Sequence, residues 1–342
     1  MPEQYQVVVV GGGPAGLTTA LYTTRLGHDT ALIDRGGGRA AMMLDTHNVI
    51  GVPEAVSGVE FLQTALEQIQ AYGADHFRSF VSAIEPHETG FKVFAGEDII
   101  LTDHVVLATG FSDVRPDPPL PRTGKGLHYC LHCDAYMFID QPVYVMGAGE
   151  SAAQVAMIML NFTPDVDLLT RGEEPTWSDE TQVQLENHPI TIIDAEITAI
   201  EKDDDGWLSG FEFSDGTTRP YRGGFPMYGS SYNTALAEML DLELTDGGQI
   251  AVDDHGRTNV DGVYAVGDVT PGHNQIPVAM GEGAACGIAI HMALLEYQKS
   301  VEAINRDGPV QSDAVPAISD RLRERASSHA GGPQPSQPAD SD

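Results

Sequence analysis

Apolar strands, glycine turns and helices alternate along the first part of the chain. The run QVVVV (6–10) predicts a strand buried on both faces, GGGPAG (11–16) predicts a turn, and residues 17–26 predict a helix. A second strand, DTALIDR (29–35), follows that helix. Because two strands joined through a helix form a βαβ unit, this order predicts a nucleotide-binding unit of an α/β protein.

The same order returns in the middle of the chain. PVYVM (142–146) predicts a strand, GAGESA (147–152) a turn at a helix start, and DVDLLTR (165–171) the next strand. Two dinucleotide-binding units therefore occur in one chain. Outside them, the pattern predicts an amphipathic helix (57–74), a strand ending at 110, a proline-rich connection (113–124), further strands (190–221 and 262–269), a small-residue helix (276–294) and a disordered polar tail (326–342).

The charge balance narrows the range of partners. There are 50 acidic against 18 basic residues, which gives a formal net charge of −32, and only four of the basic residues are lysines. Acidic residues spread over the whole length are typical of a surface adapted to high salt, where ions screen the self-repulsion. An ordinary acidic cytosolic protein is the alternative. Such a surface repels phosphate backbones and anionic lipids, so neither nucleic acid nor a membrane is expected as a partner.

The N-terminal sequence MPEQYQVVVV shows no targeting pattern, because it lacks a basic region and runs directly into a strand. No apolar run is expected to be long enough to span a bilayer. Three cysteines cannot form a disulphide framework, and a Cys-x-x-Cys motif in a cytosolic α/β protein suggests redox chemistry. Together these features predict a cytoplasmic protein.

The first glycine turn has the context that a dinucleotide fingerprint requires. Gly11, Gly13 and Gly16 follow a strand and open a helix, where glycine permits a tight turn and the close approach of a pyrophosphate. Asp34 closes the next strand, about twenty residues after Gly13, where an acidic side chain binds a ribose hydroxyl. We predict a dinucleotide site at this turn.

The second turn, Gly147-x-Gly149-x-x-Ala152, has the same context, with alanine in the permitted last position. Arg171 is the candidate cation for the 2′-phosphate of NADP, but the two glutamates at 173–174 oppose such a phosphate. No acid stands at the strand end, where an NAD site usually has one. The second unit therefore has the fold of a nicotinamide-binding site but no clear residue pattern that selects between NADP and NAD.

Cys130 and Cys133 allow three interpretations. A zinc site would recruit His128 and His132, but four ligands within six consecutive residues can hardly surround one ion tetrahedrally, so we expect no metal. A structural staple is disfavoured, because so short a loop constrains little of the unfolded chain. A redox couple is the favoured interpretation. His132 between the cysteines can supply the partial positive charge that lowers a thiol pKa.

The whole constellation resembles the low-molecular-weight thioredoxin reductases over nearly all of residues 5–297. Six stretches carry the resemblance together and are much more specific than any one alone. They are VVVVGGGPAGLTTALY (7–22), DRGGGRAAMMLDTHNVIG (34–51), VVLATG (105–110), CLHCDA (130–135), VMGAGESAA (145–153) and TNVDGVYAVGDV (258–269).

The resemblance implies an α/β fold of two Rossmann-like, three-layer dinucleotide-binding domains, the second inserted in the first. The FAD-binding domain would comprise residues 1–114 and 233–325. The inserted NAD(P)-binding-like domain with the two cysteines would comprise residues 115–232, and residues 326–342 would form the tail. Family members are commonly homodimers, and we expect the same here.

The resemblance also implies FAD as cofactor, with NADPH or NADH possible in the inserted domain. Asp268 would contact the ribityl and pyrophosphate region, Gln275 would lie near the isoalloxazine ring, and Asn48 matches a position near the flavin. The implied FAD-binding residues are Gly11, Gly13, Pro14, Ala15, Gly16, Asp34, Arg35, Asn48, Gly110, Gly267, Asp268, Gln275 and Ile276, and the implied nicotinamide residues are Gly147, Gly149, Ala152 and Arg171.

The family mechanism implies a role for each residue of the cysteine segment. Cys133 would face the flavin, and Cys130 would attack the substrate disulphide, which belongs to a thioredoxin-like protein or a small molecule. Asp134 matches the general acid/base position, with a helix N-cap as its alternative role. His128 is interpreted as a solvated loop residue.

Two departures leave the electron donor open among NADPH, NADH and ferredoxin. The usual histidine and arginines after the second nucleotide strand are replaced by TRGEEP (170–175), and Asn274 stands where the family has an arginine. The leading hypothesis is a FAD-dependent thioredoxin-disulphide reductase-like enzyme. A flavin-dependent dithiol oxidase that uses oxygen and a flavin-binding redox sensor are the alternatives.

Overall fold

The structure, a computed structural model, describes residues 3–116, 123–315 and 318–329. It divides into two compact units. Unit 1 is formed within residues 1–41, 58–111 and 232–342, and unit 2 within residues 42–57 and 112–231. The middle of the proline-rich connection and most of the predicted tail, residues 330–342, lie outside the described residues.

The first part of unit 1 carries the first glycine turn, which joins the first strand to the first helix. The parallel strand β1 alternates between two cores: Val8 and Val10 pack on one side of the sheet, and Val7 and Val9 on the other. This double burial explains the continuous apolar run. The elements up to the end of this part are β1 (Glu3–Val10), α1 (Pro14–Arg25), β2 (Thr30–Ile33), α2 (Gly58–Tyr72), β3 (Asp75–Phe77), β4 (Val81–His87), β5 (Gly90–Ala95), β6 (Asp98–Leu107) and β7 (Phe111–Asp113).

Unit 2 repeats this design around a four-stranded parallel sheet. Val143 and Val145 face one core, whereas Tyr144 and Met146 face the other. Its elements are α3 (Leu131–Asp134), β8 (Val143–Met146), α4 (Glu150–Met159), β9 (Val166–Leu169), α5 (Asp179–Glu186), β10 (Ile190–Ile193), β11 (Ile197–Lys202), β12 (Leu208–Phe213), β13 (Thr218–Pro220), β14 (Gly223–Pro226) and β15 (Ser230–Tyr232).

The chain then returns to unit 1 and completes its sheet. Short 3-10 helices also occur at Ala40–Met42, Ala135–Phe138 and Ser312–Ala314. The elements of this last part are α6 (Ala235–Met239), β16 (Val263–Ala265), α7 (Ile276–Leu294), α8 (Val301–Asp307) and α9 (Asp320–Ser327).

The strand order confirms the predicted α/β class. In unit 1 the order is β3-β2-β1-β6-β5-β4, with β16 paired to β6, and the pairs β2–β3, β1–β2, β1–β6 and β6–β16 are parallel. In unit 2 the parallel order is β10-β9-β8-β14, beside an antiparallel sheet β11-β12-β13. A two-stranded ribbon of β7 and β15 lies where the chain leaves and re-enters unit 1.

Residues 42–57 group with unit 2, although the sequence interpretation placed them in the FAD-binding domain. The reason is their contacts with the segment that carries the cysteines. The Leu44 side chain leaves no room for a side chain at Gly124, and Nδ2 of Asn48 lies 3.6 Å from Sγ of Cys133. These contacts join positions about eighty residues apart, so no local pattern predicts them.

Helix α7 is long and apolar enough, by length and composition alone, to cross a membrane. The expectation that no run has this length is therefore wrong. In unit 1, however, α7 packs closely along α1: a side chain at Gly283 would overlap the carbonyl oxygen of Ala15, and one at Gly287 would meet Cβ of Tyr22 at 2.6 Å. Such close contact is typical of a core helix, and it accounts for the small residues of this segment.

A buried acid in unit 2 gives a stability test. Asp167 is 4% exposed and accepts hydrogen bonds from Oη of Tyr221 at 2.6 Å and from Nη1 of Arg219 at 3.2 Å. Tyr221→Phe removes one donor from a buried carboxylate and is expected to lower the free energy of unfolding of unit 2 by about 1–3 kcal/mol.

Guanidinium unfolding followed by tryptophan fluorescence measures this change, because both tryptophans, Trp177 and Trp207, lie in unit 2. The matched control is Tyr5→Phe, which removes exposed hydrogen bonds to Glu3 and Asp75 in unit 1 and leaves the fluorescence transition in place. Equal transitions for Tyr221→Phe and the wild type would contradict the role of this bond.

Candidate active site

The first glycine turn forms a cradle that side chains would fill. Gly11 has φ +112°, and a side chain there or at Gly16 would overlap backbone oxygens. Gly13 is the N-cap of α1, makes no side-chain cap bond, and has open space where its Cβ would stand. Pro14 and Ala15 follow as the first helical residues. The free N–H groups at this helix start therefore face an accessible space, as a pyrophosphate requires.

Asp34 lies directly beside this turn, as the spacing predicts. Its Oδ2 accepts a hydrogen bond from the backbone N–H of Gly36 at 2.9 Å, and its Cγ would be 2.8 Å from a Cβ at Gly12. Arg35 points elsewhere, with its guanidinium 5.8 Å from the ring centre of Phe80. Asp34 is thus placed for a ribose hydroxyl next to the pyrophosphate turn.

Three further predicted FAD-binding positions follow strands of the same sheet. Gly110 follows β6 with φ +62°, and Gly267 follows β16 with φ +76° and would meet Cβ of Ala15 if it carried a side chain. The N–H of Gly267 donates to Oε2 of Glu282 at 2.7 Å, and burial raises the pKa of that carboxyl. Asp268 follows Gly267. Ala15 and Gly267 thus bring the start of α1 and the end of β16 together.

Gln275 is the N-cap of α7, without a side-chain cap bond, and Ile276 begins that helix. A second uncapped helix start therefore belongs to unit 1. The glycine cradle, the uncapped N-termini and Asp34 together fit FAD. The group would be held by Gly11, Gly13, Pro14, Ala15, Gly16, Asp34, Gly110, Gly267, Asp268, Gln275 and Ile276, all in unit 1.

Cys130 and Cys133 are joined by a disulphide at the start of α3. Sγ of Cys130 accepts a hydrogen bond from the backbone N–H of Cys133 at 3.1 Å, so the cysteine itself caps the short helix. The Nδ2 group of Asn48 donates to Sγ of Cys133 at 3.6 Å. His132, between the cysteines, is exposed. The pair is thus ready for thiol–disulphide exchange in unit 2.

Asp134 follows the pair, and its side chain does not cap the 3-10 turn that it precedes. Instead Oδ2 lies 2.8 Å from Nδ1 of His128. His128 is only 2% exposed and stacks edge-on against Phe138, with ring centres 5.0 Å apart. The interpretation of His128 as a solvated loop residue is therefore wrong, because Phe138 and β14 enclose the imidazole.

Sequence reasoning missed His47. Its Nε2 lies 2.9 Å from Oδ1 of Asp45 and 4.0 Å from Oδ1 of Asp134. The one signal was position: His47 precedes Asn48, which the resemblance places near the flavin. The third cysteine, Cys286, is fully buried, and this burial raises its thiol pKa, so it stays protonated and inert at neutral pH.

The second glycine turn reproduces the geometry of the first. Gly147 has φ +137°, Gly149 is the N-cap of α4 without a side-chain cap bond, and Ala152 is fully buried. The nearest atom to a Cβ at Gly149 is Oγ1 of Thr176, at 3.8 Å. This turn fits the pyrophosphate of a second dinucleotide.

Arg171 does not extend from the strand end towards such a ligand. Its backbone has φ +56°, its side chain is 9% exposed, and its Nε lies 3.4 Å from Oε2 of Glu196. An acid that the sequence did not single out occupies the same edge: Oδ1 of Asp194 accepts from Oγ1 of Thr170 at 2.8 Å and from N–H of Gly172 at 2.9 Å. Carboxylates dominate this edge.

Comparison with known proteins places these sites in a family. Residues 5–283 match the pyridine nucleotide-disulphide oxidoreductase family. The chain is 30% identical over 293 residues to an alkyl hydroperoxide reductase component of Staphylococcus epidermidis, a match that covers 82% of this chain and 57% of the relative. The chain thus spans little more than half the length of that relative.

Thioredoxin reductases match over almost their whole length. That of Peptoclostridium litorale is 30% identical over 310 residues, covering 84% of this chain and 96% of the relative. The crystal structure of thioredoxin reductase from Streptococcus pyogenes superposes with a TM-score of 0.79 at 27% identity, covering 86% of this chain and 99% of that one. The chain belongs to the pyridine nucleotide-disulphide oxidoreductase family, and it is similar to thioredoxin reductases over most of its length.

Proposed function

We propose that the protein is a FAD-dependent thiol-disulphide oxidoreductase that delivers electrons through Cys130 and Cys133 to a thioredoxin-like protein. The observation that carries the proposal is the disulphide at the start of α3, with Asp134 directly after it and hydrogen-bonded to a buried histidine. A structural disulphide has no use for a carboxylate held in this way, whereas exchange needs a group that transfers protons.

FAD, held by the residues of unit 1 named above, would supply the pair of electrons that reduces the disulphide. The residues of unit 2 then do the exchange. The Cys130 thiolate attacks the substrate disulphide, and Cys133 resolves the mixed disulphide that forms. The N–H of Cys133 and the Nδ2 group of Asn48 donate towards the two sulphurs and stabilise charge on them.

The relatives favour a reductase over a dithiol oxidase or a redox sensor, because the thioredoxin reductase and the alkyl hydroperoxide reductase are both named for the acceptor that they reduce. The proposed partner is accordingly a protein with an exchangeable disulphide.

Anaerobic turnover tests the proposal. The holoprotein, reduced by a nicotinamide donor in molar KCl, is mixed with an oxidised thioredoxin-fold protein, and the thiols formed are counted. We expect two protein thiols for each donor consumed. Flavin that is bleached by a small dithiol and reoxidised only by oxygen, with no thiol formed from any disulphide, would show an oxidase instead. Molar salt is chosen because a net charge of −32 needs screening, and the Debye length falls to about 3 Å at 1 M.

We propose NADH as the donor, although thioredoxin reductases use NADPH. The support is the strand end after β9, where Arg171 is paired with Glu196 and Asp194 is anchored beside Thr170. A 2′-phosphate dianion brought to this edge meets like charge, whereas a ribose hydroxyl can donate to a carboxylate.

NADH is therefore expected to reduce the flavin with a kcat/KM at least about tenfold higher than NADPH, which corresponds to about 1.4 kcal/mol. Stopped-flow bleaching of the flavin measures both donors. The double variant Glu173→Lys, Glu174→Lys should lower the ratio of kcat/KM for NADH to kcat/KM for NADPH, because it adds cations beside the position of the 2′-phosphate. The control Glu212→Lys, on the separate strand β12, should leave this ratio unchanged. A preference of the wild type for NADPH would refute this assignment.

A further inference from the structure

Next to the disulphide, four side chains form a row in the order Asp45, His47, Asp134 and His128. We call it the acid–histidine row. Asp134 is its centre, with Nδ1 of His128 2.8 Å from one carboxylate oxygen and Nε2 of His47 4.0 Å from the other. The row continues to Asp45, whose Oδ1 lies 2.9 Å from Nε2 of His47. All four residues belong to unit 2.

The two ends of the row differ in their access to water. His128 is 2% exposed, whereas the side chains of His47 and Asp45 are 15% and 49% exposed. The row therefore runs from the interior of unit 2 to its surface, with the Asp134 side chain, 20% exposed, in between.

The buried end is rigid. The backbone N–H of His128 donates to the carbonyl of Gly224 at 3.0 Å, and the imidazole packs between Phe138 and Phe225, with ring centres at 5.0 and 6.2 Å. A Cβ at Gly223 would already lie 3.4 Å from Cδ2 of His128. The ring cannot turn without disrupting this packing, so its Nδ1 stays directed at Asp134.

The chemistry of His128 follows from its second nitrogen. Nε2 is buried and has no hydrogen-bond partner among the described residues. A proton on Nε2 would be an unsatisfied buried donor, so the neutral ring with its proton on Nδ1 is favoured, and it donates to Oδ2 of Asp134. Since Nε2 has no group to pass a proton to, His128 anchors Asp134 and does not relay protons.

We propose that His128 is a positioning residue that fixes Asp134 for proton transfer at the cysteine pair, and that His47 exchanges the proton of Asp134 with solvent. The inference rests on the proposed thiol–disulphide exchange. A neutral anchor on one oxygen leaves the other free to gain and lose a proton, and that oxygen faces His47.

The exchange conserves protons and electrons. Cys130 attacks as the thiolate, its proton having passed to solvent. A bond forms between its Sγ and one substrate sulphur, the substrate S–S bond breaks, and the leaving thiolate takes a proton from Asp134. His47 then returns a proton from solvent to Asp134. When the Cys133 thiolate attacks Sγ of Cys130, the bond between Cys130 and the substrate breaks and the second substrate sulphur takes that proton. Two electrons thus pass from the cysteine pair to the substrate, and the two protons that the cysteines release to solvent are replaced by two that reach the substrate through His47 and Asp134.

Two disulphides with different leaving groups test the inference. Holoprotein is reduced, freed of reductant and mixed anaerobically with bis(2-hydroxyethyl) disulphide or with 5,5′-dithiobis(2-nitrobenzoate), and the remaining protein thiols are counted by timed alkylation. The aromatic thiolate leaves without a proton, whereas the alkyl thiolate needs one. His128→Leu should slow the alkyl reaction by about 10²-fold and the aromatic one by less than about threefold. His128→Asn, whose Nδ2 can replace Nδ1–H, should restore most of the alkyl rate.

Equal slowing of both reactions in His128→Leu would mean that the residue only packs, and would overturn the inference. If that variant does not fold, His47→Leu at the exposed end decides: we expect a loss of about tenfold with the alkyl disulphide alone, recovered by His47→Gln. No loss there would overturn the inference too. A wild-type protein that reacts with neither disulphide would instead refute the proposed function and this inference with it.

Discussion

Replacing Cys133 by serine is expected to lower disulphide reductase turnover by on the order of 10³-fold or more, because a hydroxyl can neither form nor break an S–S bond. The disulphide between Cys130 and Cys133 is the route by which electrons would leave the protein. Reduction of the flavin by the donor should stay close to the wild-type rate, since the glycine cradles and Asp34 are unchanged. Stopped-flow bleaching and a thiol assay measure the two half-reactions separately.

The serine variants of the two cysteines should also differ in the intermediate that accumulates. If Cys130 attacks and Cys133 resolves, Cys133→Ser accumulates a mixed disulphide with the substrate, visible as a mass adduct on Cys130, whereas Cys130→Ser accumulates none. The matched control is Cys286→Ala, which removes a buried thiol and leaves turnover unchanged. An adduct on Cys133 in the Cys130→Ser variant would reverse the assigned roles, and full activity of Cys133→Ser would exclude the pair as the route.

The features that were predicted correctly from the sequence depend on short, continuous stretches of the chain. Valines 7–10 alternate between two cores, so an uninterrupted apolar run marks a parallel strand. The turn at Gly11 needs φ +112°, which residues other than glycine rarely adopt. The position of the turn can therefore be predicted from the glycine in the sequence. The bounds of α7 coincide with the predicted 276–294, because Gln275 and Pro277 mark a helix start.

The features that could not be predicted from the sequence are contacts between distant segments. The Asn48–Cys133 hydrogen bond joins residues 85 positions apart, and the Phe225 ring that encloses His128 comes from β14. A histidine in a polar loop and one against two aromatic rings have the same local sequence, so burial had to come from the structure. The direction of the Arg171 side chain could not be predicted either, because its ion-pair partner Glu196 comes from a different part of the chain, after β10.

Replacing Gly13 by alanine is expected to remove FAD while leaving the fold intact. The φ of −76° and ψ of 177° suit alanine, and its Cβ would meet no atom of the described residues within 4 Å. The methyl group instead occupies the space where the pyrophosphate must approach the N–H groups of α1. Loss of one or two charge-assisted hydrogen bonds, about 3 kcal/mol, weakens FAD binding by about 10²-fold. Flavin absorbance after gel filtration and titration of the apoprotein with FAD measure the loss.

The two nucleotide turns of the chain allow a control at the equivalent position. Gly149 is also an N-cap glycine, with φ −98° and ψ 170°, and a Cβ there approaches its nearest atom at 3.8 Å. Gly149→Ala should keep full FAD content and weaken the nicotinamide donor instead, so the pair of variants assigns one ligand to each unit. Apoprotein melting temperatures no lower than that of the wild type in both variants would separate ligand approach from folding, because neither methyl group overlaps a described atom. Retention of FAD in Gly13→Ala, or its loss in Gly149→Ala, would contradict the assignment of FAD to unit 1.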